Sequence, residues 1–141
     1  MRVESLVVTI SLSLGLAASA FVPSAVAQGG LSNIQGAWLS GGADCAEVYS
    51  SNGKGVSFKK PVDIFAPAFI IVGNRLRTPQ ATCQIKSAKP SGSRHLLLLN
   101  CSNAVSGSEV RILMAREADG SLRRYFNEED SIGTEYKHCS K

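Results

Sequence analysis

Histidine occurs only twice, as His95 and His138, and tryptophan once, as Trp38. The chain has no H-E-x-x-H, G-x-S-x-G or phosphate-loop pattern, so the enzyme classes that rest on those motifs find no support. His95 opens a leucine run and His138 directly precedes a cysteine, so neither stands among catalytic partners. Aromatic residues make up only 6% of the chain. Those of the basic middle section, Phe58, Phe65 and Phe69, read as core and not as stacking platforms, which argues against nucleic acid as a partner. No C-x-x-C pair is present, which removes thioredoxin-type redox chemistry, and the wide cysteine spacing does not suit zinc. "NEED" (Asn127 to Asp130) gathers Glu128, Glu129 and Asp130, yet it lacks the alternating oxygens and central glycine of a calcium loop and reads as a solvated turn. No metal, cofactor or catalytic residue is therefore expected, and a non-enzymatic role is.

What is present begins with an export signal. Arg2 supplies the positive end, Leu6 to Ala18 is an uncharged apolar stretch, and "AVA" (Ala25 to Ala27) offers small residues at the spacing of a cleavage site. A cut after Ala27 makes Gln28 the new N-terminus; an earlier cut after Ala20 is the alternative. The apolar stretch falls short of the roughly 20 residues that span a bilayer. Residues 1–27 are thus read as a cleaved signal peptide, and 28–141 as one domain, periplasmic or secreted, monomeric and not integral to a membrane. Cys45, Cys83, Cys101 and Cys139 all lie in that domain, and an even count in a small exported chain reads as two disulfides.

Turn signals punctuate the domain, among them "SSNGKG" (Ser50 to Gly55), "KPSGS" (Lys89 to Ser93) and "EADGS" (Glu117 to Ser121). Between them lie short runs rich in β-branched, aromatic or leucine residues. Strands are expected near 35–40, 44–49, 55–60, 67–72, 75–78, 81–87, 94–101, 109–116, 121–126 and 133–138, with two of the short ones merging to leave about eight. "AFIIV" (Ala68 to Val72) and "HLLLL" (His95 to Leu99) suit strands buried on both faces. In "EVRILMAR" (Glu109 to Arg116), Val110, Ile112 and Met114 alternate with Glu109 and Arg111. The run is compatible with a helix, but closely bracketing turns favour a strand. Many short strands with close turns point to an all-β fold, a small antiparallel up-and-down barrel that leaves no unpaired edge. A hairpin turning at Pro90 to Ser93 sets Cys83 against Cys101 within a residue of register. Cys45 then pairs with Cys139, where the barrel must close.

Charge is uneven along the chain. The total is +4 at pH 7. From residue 54 to 94, Lys54, Lys59, Lys60, Arg75, Arg77, Lys86, Lys89 and Arg94 stand against Asp63 alone, whereas residues 28–53 hold only Asp44 and Glu47. A basic section of this kind attracts anionic partners such as lipid headgroups, cell-wall polymer or an acidic protein cleft. The candidate binding face is Lys59, Lys60, Arg75, Arg77, Lys86, Lys89 and Arg94. The competing reading is a solvated outer wall.

"GAWLSGGADC" (Gly36 to Cys45) resembles the G-x-W signature of small calycin-type barrels, in which the indole plugs one end. Gly36 and Trp38 match it. The stretch is more closely similar to the periplasmic inhibitors of bacterial alkaline metalloproteases, in which an N-terminal trunk precedes the G-x-W strand and a cysteine follows. That resemblance implies an eight-stranded barrel with "QGGLSNIQ" (Gln28 to Gln35) as the trunk laid in a protease cleft. The chain departs from the pattern in having four cysteines where that family usually has two. Two functions follow as expectations: an exported binding protein for an anionic envelope component or a protein partner, and a protease inhibitor acting through its arm.

Overall fold

The computed structural model describes residues 30–139, so the expected signal peptide lies outside the described residues. The elements follow in the order β1 (Gly36–Leu39), α1 (Cys45–Val48), β2 (Tyr49–Asn52), β3 (Gly55–Phe58), β4 (Ala68–Val72), β5 (Arg75–Arg77), β6 (Thr82–Ser91), β7 (Arg94–Ser102), β8 (Gly107–Arg116), β9 (Leu122–Tyr125) and β10 (Thr134–His138). A 3₁₀ turn at Ser32–Ile34 precedes them. β4 to β10 are joined in sequence, each beside the next, and β1 fills the gap between β10 and β4, closing an eight-stranded antiparallel barrel. Closure gives each of these eight strands a neighbour on both sides, so the barrel sheet has no edge strand.

The strands do not merge as expected. β2 and β3 form a hairpin of their own, outside the barrel. β1 skips over it to pair directly with β4, with Trp38 opposite Phe69. Residues 44–49, expected as a strand, instead form the one-turn helix α1 and the first residue of β2. Asp44 stands at its N-cap, and its N–H donates to Glu47 Oε2 at 3.2 Å. This is the reciprocal contact of an N-terminal capping box, which stabilises a turn too short to persist on propensity.

Alternation sorts the side chains into two cores. Trp38, Phe69, Ile71, Leu76, Ile85, Leu97, Leu99, Met114, Leu122 and Tyr136 point into the barrel. Ala37, Leu39, Ala68 and Ile70 point outward and are covered by Tyr49, Val56 and Phe58 of the hairpin. β4 is thus buried on both faces, which accounts for its unbroken apolar run. The hairpin is pinned by the Tyr49 hydroxyl, 2.7 Å from the Trp38 carbonyl and 3.1 Å from that of Phe69. Burial pushes this phenol far above its ordinary pKa.

Both disulfides have the pairing read from the sequence. Cys83 and Cys101 are direct cross-strand partners on β6 and β7. Cys45, at the start of α1, joins Cys139, just past β10, beside the β1–β10 seam. With separations of 18 and 94 residues, chain entropy assigns them about 3 and about 4–5 kcal/mol. Such bonds persist outside the reducing cytoplasm. No helix among the described residues is long and apolar enough to cross a membrane.

Candidate functional site: a cavity in the open half of the barrel

One end of the barrel is filled. Trp38 is fully buried and its Nε1–H donates to the Ile34 carbonyl at 2.9 Å. The Arg116 guanidinium lies 4.7 Å from the indole centre and donates to the Asn33 carbonyl at 3.0 Å. The His138 ring lies tilted against the indole, 4.6 Å from it centre to centre. The Gln35 amide exchanges two hydrogen bonds with the Gly73 backbone, at 2.7 and 3.1 Å, tying the entering chain to the β4–β5 turn. Gly36 has φ +112°, a conformation that side chains rarely adopt, and it turns the chain from this cap into β1.

The other end is open. A cavity of about 520 Å³ enters between the loop at 59–67, the β5–β6 turn at Thr78 to Ala81, and Asn103 of the β7–β8 loop. Its wall is Leu76, Leu99, Val110, Ile112, Met114, Phe69, Tyr136 and the Cys83–Cys101 disulfide. Val110 and Ile112 face inward, yet they are only half-buried because the space they face is open. The volume falls in the range of small-molecule sites, about 300–1,000 Å³.

The cavity has one charged lining residue, Arg124. β9 reads Leu-Arg-Arg-Tyr, and alternation sends Leu122 and Arg124 inward and Arg123 and Tyr125 outward. The two arginines differ sharply. Arg123 is paired with Glu135 at 2.8 Å and Glu117 at 3.4 Å, and these are the ion pairs found among the described residues. Arg124 lies opposite Met114 and Thr134 and has no carboxylate within 4.0 Å among the described residues. Arg124 is thus an exposed cation at the mouth of an apolar cup, with no counter-ion among the described residues.

The residues singled out as a basic face lie on the outer wall of β5 to β7 and on the loop before β4. Arg75 and Arg77 share the outer side of β5, with Leu76 turned inward between them. Arg77 is half-buried and donates weakly to the Val56 carbonyl at 3.5 Å. Lys86 sits at the bulge of β6 and Lys89 farther along the same strand, both exposed. Lys59 Nζ donates to the Ala46 carbonyl at 3.1 Å, and Lys60 is exposed beside it. Arg94 is spent on the fold. It lies 3.5 Å over the Tyr125 ring and donates to the carbonyls of Asn127, Glu128 and Asp130.

The acidic loop that Arg94 holds is closed on itself. The Asp130 carboxylate accepts from the N–H groups of Phe126, Ile132 and Gly133 at 2.9–3.0 Å, and these bonds hold its pKa below the ordinary value. Among the described residues, no three His, Cys, Asp or Glu are placed to hold a metal ion. His95 faces the closed end beside Gly30, and its Nδ1 has no hydrogen-bond partner.

Sequence reasoning missed Arg124, although the inward position of a cation on a strand starting at Leu122 was the available signal. It also placed Phe65 in the core, whereas that side chain is 83% exposed on the open rim. Comparison with protein-family models, with curated proteins and with solved structures found no match to this chain.

Proposed function

We propose that this is an exported, non-enzymatic binding protein, periplasmic or secreted. It holds a small amphipathic anion in the barrel, with the apolar part against Val110, Ile112 and Met114 and the anionic head at Arg124. The observation that carries this reading is the open apolar cavity of about 520 Å³ with Arg124 at its mouth, unpaired among the described residues. Disulfides fit the compartment, and a cup built on closed strands is preorganised, so little ordering opposes binding. The inhibitory alternative rests on the Gln28–Gln35 arm. From residue 30 onward that arm is folded into the closed end, with Ile34 only 1% exposed, and would have to leave it to enter a protease cleft. This favours the cavity over the arm.

The test uses anilinonaphthalene sulfonate as a fluorescent probe and dodecanoate and dodecanol as competitors. One saturable site is expected, with dodecanoate displacing the probe more strongly than dodecanol. Arg124→Gln should remove about tenfold of that preference, since a charge-assisted hydrogen bond is worth about 1.5–3 kcal/mol before solvent screening. Ile112→Trp should block the site. Saturable binding that Ile112→Trp leaves unchanged, or no binding at all, overturns the reading.

A further inference from the structure

The mouth of the cavity carries apolar side chains that face water. Phe65 is 83% exposed, Ile64 50% and Val62 37%, all on the loop between β3 and β4. Val105, 92% exposed, tips the β7–β8 loop, whose Asn103 lines the same mouth as Ile64 and Phe65. These loops are not slack. Asp63 Oδ1 accepts from Phe65 N–H at 2.9 Å, and Gln80 Nε2 donates to the Ile64 carbonyl at 2.7 Å. Asn103 Oδ1 accepts from the N–H groups of Val105 and Ser106. The apolar tips are therefore held outward by built turns.

Lys59 and Lys60 stand at the base of the same loop. The one acid within it, Asp63, has an oxygen turned back onto the loop's backbone. Exposed apolar tips on a loop that also carries exposed lysines suit a bilayer surface, in which anionic headgroups lie over acyl chains. A folded protein partner fits less well, since a stable contact takes about 800 Å² from each side and the apolar residues here sit on two separate loop tips.

We propose that the open rim docks on an anionic lipid surface, with Ile64, Phe65 and Val105 entering the boundary between headgroups and acyl chains and Lys59 and Lys60 engaging the phosphates. The cavity then opens toward the lipid, and an amphipathic ligand passes between them without crossing water. The docking surface is independent of whether the cavity binds such a ligand.

The experiment is co-sedimentation of ligand-free protein with phosphatidylcholine vesicles, with and without phosphatidylglycerol. Binding should require phosphatidylglycerol and weaken as salt rises. Joint replacement of Ile64 and Phe65 by serine should reduce it about tenfold or more, the effect of keeping a phenyl ring out of an apolar phase. Lys59→Gln with Lys60→Gln should lower it several-fold and flatten the salt dependence. Thermal melts check that the variants fold; little change is expected at Ile64, Phe65 and Lys60, and a small one at Lys59, which donates to the Ala46 carbonyl. Ile112→Trp should bind vesicles as the parent does, which separates this outcome from that of the cavity test. Equal binding by the serine variant, or no binding to either vesicle, overturns the proposal.

Discussion

The two ends of the barrel are built from the same strands and differ in how completely their polar and apolar groups are covered, although the closed end also leaves His95 Nδ1 without a partner and Val72 exposed. At the closed end the indole N–H, the Gln35 amide and the Arg116 guanidinium all have partners, and Ile34 and Trp38 are almost wholly buried. At the open end Arg124 has no carboxylate within 4.0 Å among the described residues, Val110 and Ile112 line the cavity, and Phe65 and Val105 face water. Marginal stability leaves room for only a few such departures, so a fold that carries several at one end must be secured at the other. The closed end, with the disulfide beside the seam, is where the barrel is held. The open end is the half left uncovered, where the proposed binding would take place.

The seam bond tests that division most severely. Replacing Cys45 and Cys139 together by serine should cost about 4–5 kcal/mol, read from denaturant unfolding. A loss below about 1 kcal/mol would mean that the Trp38 cap closes the barrel unaided. Trp38→Ala should cost about 3–5 kcal/mol, with Trp38→Phe milder. If Trp38→Ala kept full stability and instead lost binding of the sulfonate probe, the roles of the two ends would be reversed.

A smaller effect is expected in acid. The depressed pKa of Asp130 means that its stabilisation is full above the unfolded carboxylate value, about 3.9, and is lost as pH falls through the lower folded value. The difference in stability between the parent and Asp130→Asn should therefore be visible at pH 7 and vanish at strongly acid pH. A difference that stays constant between those limits would assign the effect to the side chain's shape and not to its charge.

The barrel was legible because its information is local. The alternation in "EVRILMAR" places Val110, Ile112 and Met114 on one face, and the hairpin turn sets Cys83 opposite Cys101. The outer hairpin was not legible, because the direct pairing of Trp38 with Phe69 is a long-range register that no window of sequence contains. α1 had a local signal, Asp44 followed three residues later by Glu47, which the surrounding strand-like residues obscured. The cavity was illegible for a different reason. Its volume depends on how far side chains such as Leu99, Ile112 and Tyr136 reach across the barrel, and that distance is set by closure. Arg124 could be found only by carrying the period-two rule through a charged residue instead of treating charge as evidence of an outward position.

The finest test compares one kind of change in the two halves. Leu97 and Ile112 are paired across β7 and β8, but Leu97 is fully buried while Ile112 and its neighbour Val110 border the cavity. Enlarging a side chain in a filled core forces neighbours off their rotamers and costs about 1–3 kcal/mol. Leu97→Trp should therefore show that cost in denaturant unfolding. Val110→Phe adds bulk of a similar kind into open space and replaces water contact with apolar contact, so its stability should stay within about 1 kcal/mol of the parent. The same variant should weaken the sulfonate probe, because the ring occupies the volume the probe needs. If Val110→Phe is as costly as Leu97→Trp, the open half is packed like the closed half in solution, and the contrast on which the proposed binding site rests disappears.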